Sequence, residues 1–197
     1  HAIDGGYTPA VTLIIPAHNE EDCIADKIRN ALALDYPADK LQIIVGSDGS
    51  KDGTNGIVSS FKEPNILFLP FETQSGKMSV INKCVPRAPG DIIVLTDANA
   101  MFEPGAVKAL VRHFADPKIG CVSGAKVIAV SGAATASGEG LYWKLESFLK
   151  KTEAITGSCA GADGAVYAVR KSLYAFPRDT TVIMDDFAVS LGVIRQG

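Results

Sequence analysis

No two cysteines in this chain stand close enough to build a zinc site. Cys23, Cys84, Cys121 and Cys159 are widely spaced and form no CxxC pair, which excludes a zinc ribbon or finger. Reduced, buried thiols in a cytosolic compartment are the expectation. Excess positive charge is also missing: 19 Lys and Arg stand against 22 Asp and Glu, a formal net charge of -3. That balance lacks the basic face of a nucleic-acid binder, so any phosphate recognition must be local, through a few cations, backbone N–H groups or a metal. No apolar run approaches the ~20 residues that span a bilayer. No signal peptide precedes the first apolar run, and His1 reads as a cut end. There is no G-x-G-x-x-G after that run, which sets aside a Rossmann dinucleotide enzyme. Gln74-Ser75-Gly76-Lys77-Met78-Ser79 has a phosphate-loop look, but Phe71 occupies the place of the first glycine, so a Walker motif is rejected.

What is present is apolar: 47% of the 197 residues are hydrophobic, enough to bury the core of one domain. Apolar β-rich runs alternate with helical patterns. Val11–Ile15 is the first run. A helix is expected over Glu20–Leu34, with Cys23, Ile24, Ile28, Ala31 and Leu32 on one face. Leu41–Val45, Ile66–Leu69, Asp91–Leu95, Ile119–Ala129 and Ala165–Val169 read as further strands. A short helix ending near Phe61, one from about Lys77, one opened by Pro104-Gly105, a long amphipathic one over Glu139–Ile155 and a last one from Asp185 complete the pattern. The helix over Glu139–Ile155 suits packing on the core or lying on a membrane surface. Continuous apolar strands of this kind are buried on both faces, as in a parallel sheet, and the alternation gives an α/β layered fold. The small-residue stretch Ser131–Gly138 divides residues of about 8–130 from those of about 138–197.

In open α/β sheets ligands bind beyond the carboxyl ends of the strands, so the residues there are the candidates. Pro16-Ala17-His18-Asn19-Glu20 follow the first run; Asn19 and Glu20 also suit a helix cap. Ser47-Asp48-Gly49-Ser50-Lys51-Asp52-Gly53-Thr54 follow the second. Asp52 or Thr54 suits a capped turn, whereas Asp48 at the strand tip suits accepting N–H bonds from a ligand. Gly76 and Lys77 at a helix start make an anion site. Thr96-Asp97-Ala98-Asn99 follow the fourth strand; on an extended chain Asp97 and Asn99 point the same way. Two oxygen donors on one side suit a hard divalent cation that keeps waters and bridges phosphates. Asp185-Asp186 open the last helix, where acids complement the dipole, although adjacent carboxylates near a cleft can also supply a general base.

Taken in order, Ile15-Pro16-Ala17-His18-Asn19-Glu20-Glu21, Gly46–Thr54, Gly76-Lys77, Thr96-Asp97-Ala98-Asn99 and Asp185-Asp186 resemble the large family 2 of inverting glycosyltransferases, that of cellulose, chitin and hyaluronan synthases. The resemblance runs from Val11 to Arg195. It implies a GT-A fold, a mostly parallel sheet flanked by helices, with a nucleotide-binding half over about 8–130 and an acceptor-binding half over about 138–197. It implies a nucleotide-sugar donor, UDP-linked by expectation, and a saccharide or lipid-linked acceptor. Pro16, Ala17, His18, Asn19, Glu20, Asp48, Gly76, Lys77 and Asp97 would bind the donor. Asp97 and Asn99 would hold Mg2+ or Mn2+. Gly161, Ala162, Asp163 and Asp185 would lie near the acceptor, after a helix carrying Trp143 to Glu146, and Asp186 would be the catalytic base. The resemblance further implies a membrane-bound parent chain working at the cytoplasmic face.

Two departures stand out. The second acid of the DxD motif is Asn99, which keeps an oxygen donor but loses a charge. The family's later QxxRW-type motif is missing where the chain stops at Gly197, and a piece of a longer protein is therefore expected. A nucleotidyltransferase would place a Gly-rich basic loop after the first strand, where this chain has an acidic, amide-rich one. A non-catalytic nucleotide-binding domain is the remaining alternative.

Overall fold

The structure is a computed structural model and describes residues 6–124, 166–177 and 185–196. A six-stranded sheet runs in the order β3-β2-β1-β4-β6-β5. Its strands are β1 (Val11–Ala17), β2 (Leu41–Asp48), β3 (Ile66–Phe71), β4 (Ile92–Thr96), β5 (Cys121–Ser123) and β6 (Val166–Arg170). β1 pairs in parallel with β2 and with β4, and β2 with β3. β6 is antiparallel to both β4 and β5. The expected mostly parallel α/β sheet is thus present.

Period-two alternation builds the two faces. Leu13, Ile15, Ile43, Val45, Ile92 and Val94 share one core with α1 (Ile24–Leu32), α2 (Thr54–Ser60) and α4 (Ala106–Val111). Ile14, Ile44, Ile93 and Leu95 share the other with α3 (Lys77–Cys84) and α5 (Asp185–Ile194). β1 and β4 are buried along their whole length. This is why their sequences are nearly continuous apolar runs, broken only by the buried Thr12 and Thr96, rather than alternating ones.

The chain order explains where a ligand can enter. From β1 the connections step outward through α1 and α2 to β3 at the edge. α3 then crosses the opposite face and returns the chain to β4 beside β1. The winding reverses between β1 and β4, and the crevice of such a sheet lies outside the carboxyl ends of the strands at that point.

Four expectations need correction. α1 begins at Ile24, not Glu20, because Asn19 takes a positive φ of 54° and the next residues bond across to the β2 loop. Pro104 precedes α4 in a turn, and the helix starts at Ala106. The strand expected over 119–129 is three residues, Cys121–Ser123, among the described ones. Asp97 and Asn99 sit in a turn closed by Ala100 N–H donating to the Asp97 carbonyl at 3.3 Å, not on an extended chain. Ser131–Gly138 and the helix expected over 139–155 lie outside the described residues.

Candidate functional site

Three loops meet beyond the strand ends. The first follows β1. A carbonyl cannot donate, so His18 Nδ1–H donates to the Asp48 carbonyl at 2.6 Å. That leaves Nε2 as an acceptor for the Asn19 amide at 3.3 Å. Asn19 Oδ1 accepts from Lys51 N–H at 2.9 Å, and Asn19 N–H donates to Ser50 Oγ at 3.1 Å. Glu20 N–H donates to Thr54 Oγ1 at 2.8 Å. Neither Asn19 nor Glu20 caps α1 with its side chain. Both instead lock the β1 loop to the β2 loop.

Asp48 ends β2 and is 4% exposed. Its Oδ1 accepts Ser75 N–H at 2.7 Å and Ser75 Oγ–H at 3.2 Å; its Oδ2 accepts Gly76 N–H at 2.8 Å. The acid at the strand tip therefore holds the loop that leads into α3. Gly76 has a φ of 91°, a backbone setting that favours glycine. The N–H groups at the start of α3, read from the sequence as an anion site, are turned in part onto Asp48.

Lys77 opens α3 and donates to Asp97 Oδ1 at 2.7 Å, with both side chains somewhat over a third exposed. This pair bridges the α3 start to the turn after β4. Pro16, Ala17, His18, Glu20, Asp48, Lys77, Asp97, Ala98 and Asn99 line one cleft of about 200 Å3. Asn19 and Gly76 stand beside it in the same loops. Of the donor-side candidates, then, the fold brings all to one place. Gly161, Ala162 and Asp163 lie outside the described residues, and the backbone of Asp185 and Asp186 forms the start of α5.

Asp97 and Asn99 offer one carboxylate and one amide oxygen in the lining of one cleft. No group of three or more His, Cys, Asp or Glu that could hold a metal occurs among the described residues. The donor set fits no all-protein cage. It does fit a hard cation that completes its shell with phosphate oxygens and water.

The sequence reading missed Lys27. It lies on the core face of α1 with Ile24, Ile28 and Ala31 and is fully buried. Its Nζ donates to Thr96 Oγ1 at 3.1 Å and to the Ala100 carbonyl, and stands 3.9 Å from the centre of the Phe102 ring. Burial pulls its pKa down to about 8, against the opposing pull of Asp97. A lysine at a core position of an amphipathic stripe was the signal available. Burial likewise pushes the Cys23 and Cys84 thiols up, to about 11 and about 12, Cys23 also through its hydrogen bond to Glu20. Of the described cysteines, Cys84 is buried as expected, whereas Cys23 and Cys121 are only half-buried.

The model of glycosyl transferase family 2 matches residues 12–174. Poly-beta-1,6-N-acetyl-D-glucosamine synthase of Staphylococcus aureus (strain MSSA476) is 29% identical over 185 residues, covering 91% of this chain and 44% of that protein. The chain thus spans less than half the length of this relative. Among solved structures, the mannosyltransferase PcManGT from Pyrobaculum calidifontis, in complex with GDP-Man and Mn2+, matches with a TM-score of 0.76 at 28% identity. The match covers 87% of this chain and 47% of that one. TarS of S. aureus, in complex with UDP-GlcNAc, matches with a TM-score of 0.68 at 16% identity over 93% of this chain and 52% of its own. These neighbours share the fold drawn above, the GT-A fold of glycosyltransferases. The chain belongs to glycosyl transferase family 2.

Proposed function

We propose that this chain is the donor-binding part of an inverting glycosyltransferase that passes a sugar from a nucleoside diphosphate to an acceptor hydroxyl. The observation that carries the reading is the meeting of Asp48, Lys77, Asp97 and Asn99 with the β1 loop around one cleft at the reversal of the sheet. The polysaccharide synthase among the relatives and the GDP-Man and Mn2+ bound by PcManGT support the substrate class and the cation. Polysaccharide or glycolipid synthesis, a UDP-linked donor, and a membrane-bound parent chain with this domain at the cytoplasmic face complete the reading. So does the division into a nucleotide half over about 8–130 and an acceptor half over about 138–197.

In this mechanism the β1 and β2 loops, locked by Asn19, Glu20 and Asp48, hold the nucleoside. Lys77 leaves Asp97 and turns to the diphosphate. Asp97 and Asn99 would hold the cation, Mg2+ or Mn2+. When bound, that ion neutralises charge on the leaving diphosphate, the electrostatic contribution that usually dominates such catalysis. Asp186, in the first turn of α5, takes the proton of the acceptor hydroxyl as that oxygen attacks the anomeric carbon; a single displacement inverts it. Gly161, Ala162, Asp163 and Asp185 are assigned to the acceptor side.

The test is calorimetric titration of the chain with UDP, GDP and ADP, each with and without Mn2+. Binding of one base over the others identifies the donor class, and UDP is expected. No heat with any of the three would overturn the reading.

A further inference from the structure

We propose that Lys27 is a positioning residue of the donor site, fixing the Asp97–Asn99 turn from beneath and biasing the cleft toward the diphosphate and away from the cation. The inference rests on the reading of this cleft as a nucleoside-diphosphate site.

Geometry carries it. The two oxygen partners of the Lys27 ammonium, Thr96 Oγ1 and the Ala100 carbonyl, bracket Asp97, Ala98 and Asn99. Phe102, just past that segment, stacks against the same ammonium. One side chain therefore grips the turn at its entry, its exit and the residue beyond. Among the described residues no carboxylate lies within ion-pair distance of it. A buried cation with only neutral partners is costly, and an apolar side chain of similar volume would serve the core better. Packing alone does not account for a lysine there.

The charge has an outlet on the far side of the turn. Asp97 contributes one negative charge to the cleft and Asn99 none, while Lys77 pairs with Asp97 and Lys27 stands behind it. With both lysines charged, Lys77 and Lys27 together outweigh Asp97 at the turn, while Glu20 and Asp48 add carboxylates to the same lining. Each fixed positive charge at the turn favours a diphosphate and disfavours a divalent ion, so removing that of Lys27 shifts the cleft toward the cation. A site with Asn99 in place of a second acid and a lysine beneath it leans on fixed protein charge for part of what the cation does.

Lys27→Met keeps the volume and removes the charge. Two quantities are measured on wild type and variant: the affinity for UDP in EDTA by calorimetry, and the affinity for Mn2+ alone from its free-ion paramagnetic signal. The variant is expected to bind UDP about ten-fold more weakly and Mn2+ several-fold more tightly, the size of one unit charge acting through partly screened protein. A role limited to shape moves both affinities the same way, so a common loss, or no change in either, overturns the proposal. Should Lys27→Met fail to fold, Lys27→Gln keeps a donor for the Ala100 carbonyl and carries the same expectation. Loss of fold in both variants assigns Lys27 to the core and overturns it too. Wild type that binds neither UDP nor Mn2+ overturns the reading of the cleft itself, whereas binding in wild type with unaltered variants overturns the inference alone.

Discussion

Single residues carry the sharpest expectations. Lys27 has a folded-state pKa of about 8, below its ordinary 10.5, because burial disfavours its charge. Between those values the unfolded chain binds the extra proton, so stability rises with pH across that window. Lys27→Met removes this dependence. The stability of wild type relative to the variant is expected to grow by roughly 3 kcal/mol from pH 8 to 10.5. Urea unfolding at several pH values measures it; parallel curves would contradict the burial of a charged Lys27. Asp48 accepts three bonds from Ser75 and Gly76. Asp48→Asn sets an amide N–H2 against one of those donors, so a loss of about 1–3 kcal/mol is expected by denaturant titration, together with weaker nucleotide binding. Unchanged stability would mean that the loop does not depend on the carboxylate. Asp186→Asn in the full-length protein is expected to cut turnover by at least ~10²-fold while nucleotide affinity stays level, the scale of a lost general base. Equal turnover would remove Asp186 from the mechanism.

At the scale of elements, strands were the most legible. Val11–Ile15, Leu41–Val45 and Asp91–Leu95 were plain in the sequence because both faces of β1, β2 and β4 are buried. What hid was the wiring of the loops. Asn19 and Glu20 have the chemistry of helix caps, and only the fold shows that they bridge to Lys51 and Thr54, more than thirty positions away. The Asp97 and Asn99 pair was found for an imperfect reason: both line the cleft, but a turn puts them there instead of strand alternation. Lys27 escaped notice because a helical stripe tells which face is buried and not what a charge on it touches. The loops also make an element-level expectation. Gly49 has a φ of 64°, and a Cβ there would stand 2.7 Å from Gln74 N. Gly49→Ala should therefore strain the contact between the β2 loop and the segment before α3, costing roughly 1–3 kcal/mol. A melting curve that overlays wild type would show that this contact yields easily.

For the whole molecule, the order of strands decides the chemistry. Two connections outward and one return across the opposite face leave β1 and β4 as neighbours with a reversal between them, and the donor-side candidates sit beyond that reversal. The sequence showed the alternation that builds such a sheet and the polar residues at each strand end. It did not show that β6 returns antiparallel beside β4, since an apolar run has no direction. The UDP affinity of wild type and of Asp97→Ala, each measured with and without Mn2+, tests whether the turn at Asp97 joins a divalent cation to a nucleoside diphosphate in this cleft. The expected result is that Mn2+ tightens UDP binding to wild type at least ten-fold and changes that of Asp97→Ala little, a carboxylate ligand being the charged half of the site. Equal gains from Mn2+ in both proteins would place the cation elsewhere and contradict the account.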